Sequence, residues 1–258
     1  MPDPHLTLIT LTTAIILWIC LVALAAGFTQ GLTGFGFAVI CTPLLSMFVP
    51  VKICIIVSTL CGGAGTIPIL ATHWRHILWR PVLLLTLSAA PGLWLGAKML
   101  KHVPVAWIIG FLGAVLIAIA IFQLRNGRLP PAWRGRTLAI ACGFLSGAVG
   151  SVTAAPGPPI IAYTSVQIDW DIRETKAVMN AFFLLQTFVV LPIYAANDLL
   201  TRDVARVCAW AAPLAALGLA GGLLLSHALR NRLPLMRRII YTAVLLLGLS
   251  MLAKALWR

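Results

Sequence analysis

The sequence predicts an all-α polytopic membrane protein. It is expected to hold two inverted repeats of about five apolar segments each, 8–10 spans in all, with broken or re-entrant helices in each half. Three observations predict it. Of 258 residues, 61% are hydrophobic and only 10% are charged, with a mean hydropathy of +1.01. A soluble domain carries about a quarter charged residues, and a globule this size could not bury so much apolar surface. The apolar residues fall in runs rather than in alternation, which excludes an outer-membrane barrel. The same glycine and proline pattern then occurs twice.

The apolar runs lie at about 8–26, 32–48, 53–71, 82–100, 105–124, 137–150, 155–166, 177–196, 204–228 and 238–256. A span needs about 20 residues at a rise of about 1.5 Å, and most runs reach it. The runs 32–48, 137–150 and 155–166 are short. Gly and Pro interrupt the first pair and the sixth–seventh pair, so each pair reads as two spans, a broken helix or a re-entrant hairpin. The first run ends in Ala23-Leu24-Ala25, which resembles a cleavage site. It lacks a basic start and is long for a signal peptide, so it is expected to be a retained helix.

The net charge is +13, from 19 Lys and Arg against 6 Asp and Glu. Basic residues collect in cytoplasmic loops. The basic loops carry Arg75 and Arg80, then Arg125, Arg128, Arg134 and Arg136, then Arg230, Arg232, Arg237 and Arg238. Placing them inside, with Arg173 and Lys176, leaves Lys52, Lys98, Lys101, Arg202, Arg206, Lys254 and Arg258 outside. The halves are then an N-terminal repeat at 1–125, a basic cytoplasmic linker at 126–136 and an inverted repeat at 137–258. Tryptophans flank most segment ends as interfacial anchors, Trp94 excepted. The six cysteines read as small buried apolar residues. No nucleic-acid partner is implied, because the basic residues form no aromatic-interleaved tract.

All six carboxylates (Asp3, Asp169, Asp171, Glu174, Asp198 and Asp203) lie outside the apolar runs. A buried cation site needs compensating charge, so the cargo is expected to be an anion. Proton coupling through His or the substrate stays open. No HExxH, GxSxG or GxxxxGK[ST] occurs, so an enzyme or an ATPase lacks its parts. Neither a cofactor nor a metal is expected.

The two halves match each other. GFTQGLTGFGFAVICTPLL (27–45) aligns with GFLSGAVGSVTAAPGPPII (143–161) at an offset of 116. This pairs Gly27 with Gly143, Gly31 with Gly147, Gly34 with Gly150 and Pro43 with Pro159. Later matches join Lys52 to Lys176, Pro68 to Pro192, Gly92 to Gly218 and Gly96 to Gly222. An odd number of segments per half makes the second half enter in the opposite sense.

Glycines spaced GxxxG suit close helix packing, and Gly92, Gly96, Gly218 and Gly222 read that way. Gly34-Phe35-Gly36 and the stretch Ser151 to Pro159 cannot be regular helix throughout, given Pro156, Pro158 and Pro159. Broken backbone at membrane depth must be buried or line a cavity, and free N–H groups at a new helix start favour an anion. The candidate substrate-binding residues are therefore Gln30, Thr33, Gly34, Phe35, Gly36, Ser151, Val152, Thr153, Gly157, Asn180 and Gln186. Ser58 and Thr59 share the paired segments. Lys52 and Lys176 read either as charges drawing an anion to each mouth or as lysines snorkelling at helix ends.

The duplicated fingerprint resembles that of the TauE/SafE family of sulfite and organosulfonate exporters, also called the 4-toluene sulfonate uptake permease family. The motif positions that the resemblance carries over are Gly27, Gly31, Gly34, Gly36, Pro43, Gly143, Gly147, Gly150 and Pro159. The second copy departs from the family's glycine-rich run, since Ser151 to Ala155 holds no glycine. The resemblance implies a secondary transporter in a bacterial cytoplasmic (inner) membrane. Its cargo would be a small sulfur-containing anion such as sulfite or sulfoacetate, carried by alternating access. A carboxylate cargo, uptake instead of export, and a non-transporting scaffold or lipid-interacting protein are the alternatives. The coupling ion (proton or sodium) and an oligomeric state stay open.

Overall fold

The computed structural model describes residues 13–125, 135–228 and 233–257. Arg128, Arg134, Arg230 and Arg232, and the linker before Gly135, lie outside the described residues. Ten helices follow in order: α1 (Thr13–Thr33), α2 (Phe37–Leu45), α3 (Val51–Ala71), α4 (Trp79–His102), α5 (Val105–Leu124), α6 (Arg136–Thr153), α7 (Gly157–Ser165), α8 (Ile172–Ala196), α9 (Arg202–Ala228) and α10 (Leu233–Leu256). A 3-10 turn, Trp74–His76, precedes α4. No strand occurs among the described residues.

Eight of the helices are long and apolar enough to cross a membrane. The exceptions, α2 and α7, have nine residues each, which at about 1.5 Å per residue is less than half a bilayer core. Each short helix follows a break, and both breaks fall later than the apolar runs suggest. α1 continues to Thr33 and α6 to Thr153. Gly27, Gly31, Gly143, Gly147 and Gly150 therefore lie inside continuous helices, and only 34–36 and 154–156 are non-helical. Pro43 sits within α2 without ending it. Pro158 and Pro159 sit in the first turn of α7, where a missing N–H costs nothing.

After the first break the chain turns back. Trp18 Nε1 donates to the Leu44 carbonyl at 3.0 Å, and its ring meets that of Phe48 at 5.5 Å. α3 then runs alongside α1, with Gln30 Nε2 donating to the Gly62 carbonyl at 2.9 Å. After the second break, Ser146 Oγ donates to the Pro156 carbonyl at 2.6 Å, which places α7's start about two turns back along α6.

Bare glycine backbone mediates the tightest helix contacts. A Cβ at Gly27 would lie 2.1 Å from Ala215 O, and one at Gly218 2.1 Å from Leu24 O, so α1 and α9 run parallel in close contact. A Cβ at Gly147 would lie 2.2 Å from Ala89 O, and one at Gly92 2.2 Å from Phe144 O, which sets α6 parallel on α4. Gly92, Gly96, Gly218 and Gly222 are thus packing residues. Lys52 Nζ donates to the Lys101 carbonyl at 3.1 Å, joining the start of α3 to the end of α4. α1, α3 and α9 therefore point one way, and α4 and α6 the other. α8 follows α6, since Gln186 Nε2 reaches the Ser146 carbonyl and Tyr194 OH the Ser151 carbonyl. Gly113 packs on Gly248 and Leu252, and Gly110 on Ala255, so α5 and α10 run antiparallel.

These contacts correct the alignment of the halves. Gly218 meets Leu24 while Gly92 meets Phe144, and Gly222 meets Phe28 while Gly96 meets Ala148. Corresponding positions of α1 and α6 are thus 120 residues apart, not 116. Gly27 answers to Gly147, Gly31 to Ser151 and Gly34 to Ala154. The sequence match was one helical turn out of register, because a GxxxG motif shifted by four residues still places glycine on glycine.

Trp94 faces outward, with Lys98 Nζ 3.8 Å from its ring centroid, the arrangement of a lysine stem laid along an aromatic surface.

Gly147→Ala is expected to separate α6 from α4 and to destabilise the protein by about 1–3 kcal/mol, the range of overpacked sites. Gly221→Ala, whose Cβ would meet only Phe28 Cδ2 at 3.8 Å, is expected to leave stability unchanged. Thermal unfolding in detergent compares the two.

Candidate functional site

α3 and α8 cross where a Cβ on Gly63 would lie 2.1 Å from Thr187 Oγ1. Both positions are near the middle of their helices. Beside the crossing is a cavity of about 670 Å³, including the part open to the outside.

Both broken hairpins deliver their tips to this cavity. Phe35 and Gly36 line it from the first tip, and Ala154, Ala155 and Pro156 from the second. The tips meet, since a Cβ at Gly157 would lie 3.7 Å from the Phe35 ring. Both turns use left-handed backbone: Gly34 has φ +84°, Gly36 +100° and Ala154 +59°. Gly34 N–H donates to Gln30 O and Ala154 N–H to Gly150 O, both at 2.7 Å, closing α1 and α6 in the same way.

Of the sequence candidates, Gln30, Phe35, Gly36, Gly157 and Gln186 line the cavity, as do Gly150, Pro156 and Pro158. Thr33, Gly34, Ser151, Val152, Thr153 and Asn180 do not. Their side-chain polar groups are used locally, apart from Asn180 Oδ1, which is buried without a partner. Thr33 Oγ1 bonds the Thr29 carbonyl at 2.8 Å and the Phe35 carbonyl. Thr153 Oγ1 donates to Val149 O at 2.8 Å and accepts from Ala155 N–H. Ser151 Oγ donates to Leu93 O at 3.0 Å, and Asn180 Nδ2 to Lys176 O at 2.9 Å. Thr33 does line a smaller cavity on the far side of the first tip, which shares Phe35 and Gly36. Lys52 is buried beside the end of α4, whereas Lys176 is exposed. Neither lines the main cavity.

The polar lining comes largely from α3 instead. Ser58, Thr59 and Thr66 flank the pair Gly62-Gly63, and Thr187 faces them from α8. Thr66 and Thr187 escaped the sequence reading. The signal for Thr66 was the helical spacing of hydroxyls and glycines along one face of α3.

The two glutamines exchange roles between the halves. Gln30 on α1 covers Gly62 and Gly65 of α3. Gln186 on α8 covers Gly150 of α6, with its Nε2 2.6 Å from where a Cβ would stand. With α1 and α6 related by 120 residues, and α3 and α8 by 124 at the crossing, Gln30 corresponds to Gly150 and Gly62 to Gln186. Each half thus places one amide over glycine backbone, from opposite members of the helix pair.

The electrostatics are those of dipoles alone. Among the described residues, none that lines the cavity is charged or a histidine. The helix starts differ in what they offer. The first three N–H groups of a helix have no partner within it, and no side chain caps α2. Phe37, Ala38 and Val39, all buried and lining the cavity, therefore present unclaimed donors at the positive end of a helix dipole. At α7, Pro158 and Pro159 have no N–H, so Gly157 alone offers one. The proline that makes the second break thereby removes most of its donors. Ser58 Oγ is buried against the Cys41 thiol, and Gln186 Oε1 is buried without a hydrogen-bond partner.

Residues 19–251 match the family described as Sulfite exporter TauE/SafE. No curated protein and no solved structure matches the chain. The family match covers all ten helices in whole or in part and both tips, and on that ground this multi-pass membrane chain belongs to the TauE/SafE sulfite exporter family.

Proposed function

We propose that the protein is a secondary transporter that moves a small sulfur oxyanion, sulfite or an organosulfonate such as sulfoacetate, by alternating access across a bacterial cytoplasmic membrane. The observation that carries this reading is the uncharged cavity at the α3–α8 crossing, where α2 opens with three unclaimed N–H groups. Donors of this kind favour an anion, and among the described residues no charged side chain lines the cavity. The family's description supports sulfur as the cargo's central atom.

Inverted halves would give the site its two-sided exposure. Two observations support inversion. The first helices of the halves, α1 and α6, point in opposite senses through their contacts with α3, α9 and α4. The fifth helices, α5 and α10, pack antiparallel. A twofold axis in the membrane plane produces both, and it would pass near Gly63 and Thr187. Rocking one half on the other would open the cavity to each side in turn.

Counterflow in proteoliposomes tests the cargo. Saturable exchange of sulfite, and more weakly of sulfoacetate, is expected, with acetate exchanging much less. Acetate exchanging as well as sulfite would replace the sulfur anion with a carboxylate, and the absence of any saturable flux would leave a lipid-interacting scaffold.

Gly34→Leu and Gly150→Leu are each expected to reduce exchange to background while the protein still inserts. The first forces a side chain onto left-handed backbone, and the second drives Cβ into Gln186 and Pro156. Normal exchange in both would separate transport from the hairpin tips.

Inversion has its own test. In a cysteine-free background, single cysteines at Met47 and Ile168, both exposed and both just after the short helix of their half, are expected to react with a membrane-impermeant thiol reagent from opposite sides. Labelling from one side would contradict inversion.

A further inference from the structure

We propose that the cavity selects an oxyanion in its monoprotonated form, one with an O–H, such as hydrogen sulfite, over an anion that has only bare oxygens. This rests on the reading of the cavity as the anion site. The lining is not made of donors alone. The α2 start supplies N–H groups, whereas the Thr59 and Thr66 hydroxyls of α3 already donate to the Ile55 and Gly63 carbonyls, and α8 supplies an acceptor. Gln186 is 5% exposed and lines the cavity, and its Oε1 has no partner.

The orientation of that amide has a physical cause. Gln186 Nε2 faces the Ser146 carbonyl at 3.4 Å. Reversing the amide would set carbonyl against carbonyl. So the oxygen is the atom left over, and a carbonyl oxygen only accepts.

An anion with bare oxygens can satisfy the donors and not this acceptor. Sulfite as a dianion, or a sulfonate, would bring lone pairs toward Oε1 and leave it buried and unpaired, which is unfavourable. An anion with one O–H satisfies both sides, its oxygens taking the N–H groups of α2 and its hydroxyl donating to Gln186. Ser58 is compatible with either form, because a hydroxyl can donate or accept. The same choice accounts for a lining without a carboxylate or histidine: the proton enters with the cargo, so no side chain has to carry it.

The test uses the full-length protein in nanodiscs, with binding followed by isothermal titration. The probes are sulfite, whose second proton leaves near neutral pH, and methanesulfonate, whose charge stays fixed. From mildly acidic to mildly alkaline pH, sulfite affinity is expected to fall, approaching about tenfold per pH unit once the dianion dominates. Methanesulfonate affinity is expected to stay flat, and to be about tenfold weaker than that of hydrogen sulfite for one lost hydrogen bond. In Gln186→Met the two probes are expected to bind alike at acidic pH. Sulfite binding that strengthens with pH, or methanesulfonate binding as tightly as hydrogen sulfite in the unaltered protein, overturns the proposal and leaves the anion site standing. Neither anion binding at any pH overturns both. The pH profile of the unaltered protein decides even if the variant does not fold.

Discussion

The fold depends on backbone meeting backbone along α1–α9 and α4–α6. In lipid there is no hydrophobic force to bring helices together, so close van der Waals contact has to do it. Gly27 and Gly218 on one pair, and Gly92 and Gly147 on the other, leave no room for even a methyl group. Those contacts fix the long arm of each hairpin against a full-length helix. The tip then emerges at a set depth and heading, and the cavity exists because two such tips arrive at the α3–α8 crossing. A loosened arm would move Phe35 or Pro156 before it changed any polar group.

The tips are governed by a second constraint, that broken backbone away from water still needs partners. Thr33 and Thr153 meet it inside the turns, each bonding its own helix. Ser151 meets it across to α4. These hydroxyls look like ligand groups in a sequence and are spent on structure. What remains uncommitted at the cavity is less conspicuous: the main-chain N–H groups at the start of α2 and the Gln186 amide oxygen on α8.

Much of this was legible in the chain and some could not be. Ten apolar runs gave ten helices, and the short runs marked the broken pairs. The breaks themselves were legible, at Gly34-Phe35-Gly36 and within Ser151 to Pro159, but the apolar runs before them ended too early, since glycine within a helix looks like an interruption when it is a packing surface, as Gly27 and Gly31 are. The repeat was recognisable, but its register was not. Glycines four apart make a one-turn shift nearly invisible in one dimension, whereas Gly218 on Leu24 and Gly92 on Phe144 leave no choice in three. Gln30 and Gln186 were legible as cavity residues. That they are counterparts with their glycines exchanged was not, because no alignment pairs a glutamine with a glycine.

That exchange bears on how a repeated scaffold can hold one solute. A perfectly symmetric pair of halves would present the same groups twice, and a small tetrahedral or pyramidal anion cannot use two identical donor sets at once. Here the backbone plan is repeated while the chemistry is divided. The first half opens α2 with free N–H groups and places Ser58, Thr59 and Thr66 along α3. The second half closes its helix start with Pro158 and Pro159, sets Phe183 on α8 and offers the Gln186 carbonyl. The unclaimed N–H donors thus sit on one side of the crossing, at the start of α2, with a buried carbonyl acceptor on the other. An anion bound there would have a preferred orientation, with its negative oxygens toward α2. In the proposed transporter, repetition would supply two hinged walls, and the differences between the copies would supply the recognition.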